Sequence, residues 1–194
     1  MDAAFERAAQ TKPHLVFRLL LQPLTLGHHF LLREIGSPFL DGRDPNIYDL
    51  LTAVLVCALP HRKSRHVLRA WWLPLFFKLW AWRSRKLNAF HEYAAFKEYL
   101  EDNAIRPQTA RRRGDYRESK APSHWSALVT LMSDFNMTKE KALDVTIVES
   151  NCLIATLGDR DGTVELQSDQ QRDLLAYARA EDLKALAEGR IKLN

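Results

Sequence analysis

The sequence predicts an all-α protein: an irregular multi-helix bundle with a flexible basic loop near the middle of the chain. Three observations lead there. Hydrophobic residues make up 46% of the 194 positions, and a chain of this length buries roughly 70% of its unfolded surface, so a true core can form. Seven glycines and eight prolines are too few for the frequent turns of an all-β design. Apolar residues also recur at the three-four spacing of a helix, with capping residues where each run begins.

The first dozen residues, with Ala3, Ala4, Ala8 and Ala9, suit a short helix that stops before Pro13. The apolar run His14 to Leu21, ended by Gln22-Pro23, fits a helix or an extended buried segment. Thr25 is placed to cap a helix to about Ile35, with Gly36 as its left-handed terminator and Pro38 behind it. Asp44-Pro45 opens the next helix with proline in its first turn. That helix carries Ile47, Leu50, Leu51, Val54, Leu55 and Ala58 as a core stripe. Ser64 suits the cap of a third helix, with Val67, Leu68, Trp71, Trp72, Leu75, Phe76, Leu79 and Trp80 along one face and Pro74 kinking or dividing it. A further helix over 86–102 turns Leu87, Phe90, Ala94, Phe96 and Leu100 inward.

From Asn103 to Pro122 the apolar pattern disappears, and Arg111-Arg112-Arg113-Gly114 mark a flexible basic linker. The chain therefore divides into an N-terminal helical region at 1–102, the linker at 103–122 and a C-terminal helical region at 123–194. In the last region Ser123 caps a helix with Trp125, Leu128, Leu131 and Phe135, and Thr138 caps one running through Ile154. Gly158 to Gly162 form a turn. Ser168 with Gln171 makes a capping box for a helix to about Arg179, and a short helix from Asp182 to Glu188 ends the order.

Cys57 and Cys152 each sit in an apolar run, as buried free thiols do in a reducing compartment. The N-terminus lacks the basic-then-apolar pattern of a secretory signal. The longest apolar runs are interrupted well short of the roughly 20 residues a membrane span requires. The expectation is a soluble protein of the cytoplasm. Net charge is +4, but residues 61–120 hold fifteen Lys or Arg against six Asp or Glu, which concentrates positive potential in the middle.

No catalytic, metal or cofactor site is predicted. His28 and His29 are adjacent and diverge by about 100° on a helix. His61 and His66 are five apart, off one face, and no cysteine pair has zinc spacing. Asp159-Arg160-Asp161-Gly162 starts like a calcium loop, but Gln170 stands where a bidentate Glu belongs, so a solvated turn is the simpler reading. Phosphate loops, nucleophile elbows and metalloprotease helices are absent. The basic stretches 61–66, 83–86 and 111–113 suit phosphate neutralisation beside stacking aromatics. The aromatic helix itself has three readings: core, interfacial membrane helix, or docking surface. Four tryptophans within a dozen residues exceed the needs of a small core. That density points to a partner held by Trp71, Trp72, Phe76 and Trp80, with Arg111, Arg112 and Arg113 from the loop.

Pro23-Leu24-Thr25-Leu26-Gly27-His28, Leu31 to Phe39 and Asp49-Leu50-Leu51-Thr52-Ala53 resemble the start of small helical proteins encoded among tailed-bacteriophage tail genes. The Met132–Leu143 region is similar to tail assembly chaperones. The likeness covers about the first third and a patch of the second half, with short motifs and no functional residue to carry over. It implies a non-enzymatic protein of the host cytoplasm, or one associated with the virion, that coats a helical tape-measure-type protein. The long basic linker is not a feature of that group and leaves open a structural tail or virion protein. The alternative from the residues is a nucleic-acid-binding protein using the basic middle.

Overall fold

The computed structural model describes residues 5, 6, 8, 12–83, 88–107, 109–111, 122–167 and 177. Helices dominate them, but two small antiparallel sheets are also present, so the fold is mainly α rather than all-α. The run after Pro13 is extended, not helical: β1 (His14–Val16) pairs with β2 (Leu19–Leu21) in a hairpin. Its two-residue turn, Phe17-Arg18, has φ of 49° and 63°. Glycine or asparagine usually occupies such a turn, and their absence hides the hairpin from the sequence. Phe17 is held in this conformation by its own burial and by an amide N–H that donates to the Glu92 carboxylate.

Helix α1 (Leu26–Glu34) is capped by Thr25, and His28 closes the box where Glu or Gln is usual. Gly36 follows at φ 64°, as a left-handed exit needs, and Pro38 opens the short α2 (Pro38–Asp41). Helix α3 (Ile47–Ala58) starts after Pro45, not with it. Asn46 caps it, accepting from Tyr48 and Asp49 N–H while Asp49 accepts from Asn46 N–H at 2.9 Å. Besides the expected Leu50, Leu51, Val54 and Leu55, Ala53, Val56 and Cys57 are buried, so the middle of α3 is enclosed on most sides, while Ile47, expected in the stripe, is exposed in its first turn and Ala58 is half-buried at its end.

The predicted aromatic helix is two helices, α4 (His61–Leu68) and α5 (Leu73–Arg83). Pro74 lies in the first turn of α5, where its missing N–H has no helical partner to lose. Ser64 is not a cap. It sits inside α4, buried, and its hydroxyl donates to the Val56 carbonyl at 2.8 Å. Helix α6 (Ala89–Asn103) is capped by Asn88 and buries Phe96, Tyr99 and Asn103. Phe90 and Ala94 face outward, contrary to expectation; Phe90 is nine residues before Tyr99, which at 100° per residue is the opposite side. Leu87 lies outside the described residues.

The described part of the expected linker contains a strand, β3 (Thr109–Arg111), which pairs with β4 (Val164–Leu166). Pro107 is buried as well. Three residues are too few to show a strand pattern. Helix α7 (Ser123–Ser133) follows Pro122, which holds the cap position in place of Ser123. The expected single helix from Thr138 is divided into α8 (Lys139–Asp144) and α9 (Ile147–Arg160), each with its own threonine cap. Gly158 to Arg160 finish α9, and the turn proper is Asp161-Gly162, with Gly162 at φ 72°. The expected terminal helices fall mostly outside the described residues; Phe5, Glu6, Ala8 and Tyr177 are helical.

Two main core clusters result. One gathers β1–β2, α1, α3, α5 and α6; the other gathers Leu26 with α7, α8 and Val145. The extended segment Gln22–Thr25 and the start of α1 join them. Gln22 N–H donates to Cys57 O at 2.8 Å, and Tyr99 Oη–H donates to Gln22 O at 2.8 Å. Leu24 N–H donates to Asn103 Oδ1 at 3.0 Å, Ile147 N–H to Leu24 O at 2.8 Å, and Leu26 N–H to Val145 O at 3.0 Å. Thr25 and Thr146 form a bridge between them. Replacing Asn103 by Ala strands a buried amide, which costs about 1–3 kcal/mol. Urea denaturation should show that loss for Asn103→Ala; an unchanged midpoint would mean that the segment is not held there.

Candidate docking surface

Helix α5 is apolar around most of its circumference, yet it has only one side to bury. Leu73 and Phe77 enter the first core cluster, and Phe76 and Trp80 pack half-buried against it. The Trp80 ring lies edge-on to Phe17 at 5.8 Å and 5.4 Å from Phe76, which in turn meets Trp72 at 5.8 Å. The opposite side faces out: Leu75 is 70% exposed, Leu79 59% and Trp82 61%, and Trp71, in the turn just before the helix, is 89% exposed. Isolated exposed apolar residues need no explanation, but a contiguous stripe rimmed by charge marks an interaction site.

Of the predicted contact residues, Trp71 and Trp72 are exposed, while Phe76 and Trp80 belong to the inner row that braces the helix on the core. Arg111 is in β3, far along the chain from α5, and Arg112 and Arg113 lie outside the described residues. Trp82 was missed. Leu75 and Leu79, expected on one face with Phe76 and Trp80, are exposed while those two are half-buried, because the sequence pattern marks a stripe without saying which side the core takes.

No Asp or Glu occurs from residue 50 to residue 91, a stretch with eight Lys or Arg. Two of these cations are paired, Arg62 with Asp144 at 3.0 Å and Arg65 with Glu34 at 3.1 Å. Arg69, Lys78 and Arg83 are exposed and make no ion pair among the described residues. The outward face of α5 is therefore apolar and flanked by cations.

The histidines are the other place to look for chemistry. His28 and His29 diverge as their adjacency requires. His28 meets His61 of α4, with ring centroids 6.2 Å apart, and its Nε2 lies 2.7 Å from Leu59 O. His61 Nδ1 is 3.0 Å from Asp144. His29 meets His124 of α7 at 5.1 Å, beside an open groove of about 1290 Å³ between α1, α2, α6, α7 and α9. Burial lowers the pKa of His28, His61 and His124, and takes that of His29 down to about 4. Among the described residues no three His, Cys, Asp or Glu side chains gather as a metal-ion set. Cys57 and Cys152 are buried thiols outside any disulfide, and burial pushes the Cys57 thiol up to about 12. Asp159 accepts from Leu166 N–H at 3.2 Å, tying α9 to β4. Among the described residues no helix is long and apolar enough to cross a membrane.

Comparison with known proteins finds no matching family model, no matching curated protein and no matching solved structure.

His29 sets a pH dependence. With its folded pKa near 4 against an ordinary 6.5, the unfolded chain takes up this proton first as pH falls. Stability should decline from about pH 6.5 to 4, by at most ~1.4 kcal/mol per pH unit for one proton. His28, His61 and His124 act in the same direction. His29 Nδ1 is buried without a hydrogen-bond partner among the described residues, so His29→Phe should fold and lose less stability than the parent between pH 7 and 4.5. Urea titrations across that range check this; identical slopes would count against it.

Proposed function

We propose that this chain is a non-enzymatic binding protein that receives an apolar helical segment of another protein on the outward face of α5. The observation that carries the reading is the exposed set Leu75, Leu79 and Trp82 on a helix whose other side is braced by the core, with exposed Trp71 in the turn that leads into it. Tryptophan and arginine are the residue types that most often dominate binding energy at protein interfaces. Covering these four side chains is worth about 1.5–3 kcal/mol each before costs, and association itself costs about 4–15 kcal/mol. The row alone thus supports reversible binding, which suits a protein that must later release its client.

The narrower proposal is a tail assembly chaperone of a tailed bacteriophage, acting in the host cytoplasm on a tape-measure-type helical protein. It rests on the resemblance of residues 23–28, 31–39 and 49–53 to small tail-gene proteins and of Met132–Leu143 to tail assembly chaperones, with a structural tail component as the neighbouring reading. A chaperone of this kind needs an apolar docking face and no catalytic group. Nucleic-acid binding is the second reading, favoured by the acid-free stretch from 50 to 91 and by exposed indoles that could stack on bases.

The test is a lysate pull-down with the full chain and with a Trp71→Ser/Leu75→Ser/Leu79→Ser variant, washed at low and high salt. The proposal expects a long helical structural protein that survives high salt on the parent and is lost from the variant. Nucleic acid that washes away with salt, with no protein retained, would instead support the second reading.

A further inference from the structure

We infer that the segment docking on α5 is an amphipathic helix of about three turns whose flanks carry Asp or Glu. This rests on the reading of α5 as a protein-docking face and names the chemistry of its partner.

Geometry supplies the helix. On α5 two rows run side by side at a spacing of four, Leu75 and Leu79 outside and Phe76 and Trp80 beside them; Trp71 and Trp72 precede these rows in the turn that leads into the helix. Rows of this kind form ridges with a groove between, and a partner helix fits its own ridge into such a groove at a crossing angle of about −50°. The inner row is fixed before binding, because Phe76 and Trp80 pack on the core and Trp80 is held edge-on by Phe17. A bilayer needs exposed apolar side chains and cations, but it makes no use of a groove with a preset wall. The eleven residues Leu73–Arg83 span about 16 Å at 1.5 Å per residue, which is three turns of a facing helix.

Charge supplies the flanks. Lys78 stands about 60° to one side of Leu75 around the helix, and Arg83 about 80° to the other. Arg69 stands before the outward row begins. All three are exposed and have no acidic partner among the described residues. The nearest acids along the chain are Asp49 and Glu92; Asp49 serves the cap of α3, and Glu92 accepts from Phe17 N–H. A helix with basic flanks is repelled, and the same face of a second copy is repelled likewise. Acidic flanks meet the cations and reward one class of partner over another.

The experiment is selection from a displayed library of helices with a fixed Leu/Ile seam and randomised flanks. The immobilised full chain is the target, and binders that also hold the Trp71→Ser/Leu75→Ser/Leu79→Ser variant are removed. Binders dependent on α5 should be enriched in Asp and Glu at the flanks. They should lose tenfold or more in affinity for an Arg69→Glu/Lys78→Glu/Arg83→Glu chain, whose substitutions are on exposed sites and whose folding is checked by circular dichroism. Uncharged or basic flanks, or equal affinity for the reversed chain, would overturn the charge inference and leave α5 docking in place. A selection with no α5-dependent binder would overturn the docking reading itself. Co-sedimentation with vesicles of three neutral lipids to one anionic lipid, lost in the serine variant and without any acidic helix selected, would assign the face to a bilayer and overturn the inference.

Discussion

Five residues of non-helical or barely helical backbone, Gln22 to Leu26, pass between the two main core clusters. Buried peptide groups must find partners, since an orphaned one forfeits a full desolvation penalty. Here the partners come from three separate places: Cys57 of α3, Tyr99 and Asn103 of α6, and Val145 and Ile147 around the break between α8 and α9. The segment therefore fixes where three parts of the chain meet. Its neighbours repeat the theme, because Thr25 both caps α1 and bridges Thr146, which caps α9.

Once that junction is set, the position of α5 follows. The middle of α3 is enclosed on most sides, and the hairpin β1–β2, α6 and α1 occupy much of its perimeter. Helix α5 takes a remaining side and offers Leu73, Phe77, Phe76 and Trp80 to it. Its apolar sequence continues around to the other side, where Leu75, Leu79 and Trp82 remain exposed beyond Trp71 of the preceding turn. An extra apolar face of this kind lowers solubility without strengthening the core. The cations alongside it offset that liability in the free protein.

Local chemistry in the sequence was a good guide where a helix end is set by its own residues. Thr25 and Gly36 bound α1 as their capping and left-handed preferences require. Pro74 divides the aromatic stretch for the reason its missing N–H gives. The sequence was a poor guide where distant pairing decides. The β-branched run at 145–148 continues an apolar helical pattern, and the pairing of Val145 and Thr146 with Leu26 and Thr25 breaks it, together with the cap that Thr146 gives to α9. The Phe17-Arg18 turn has no turn-forming residue, and Glu92, seventy-five positions away, stabilises it. For the candidate site, the aromatic density and the basic surroundings were legible. The outward side was not, because a helix apolar on both sides gives no sign of which one meets the core.

The most direct test of the account is ionic quenching of tryptophan fluorescence in the free full-length chain carrying Trp125→Phe. That substitution leaves Trp71, Trp72, Trp80 and Trp82, all in the α5 region. An exposed row in positive surroundings predicts strong quenching by iodide and weak quenching by caesium, with the difference shrinking as salt is raised. Emission resistant to both ions would mean that the row is covered, and equal quenching by both would remove the positive surroundings; either would contradict the account.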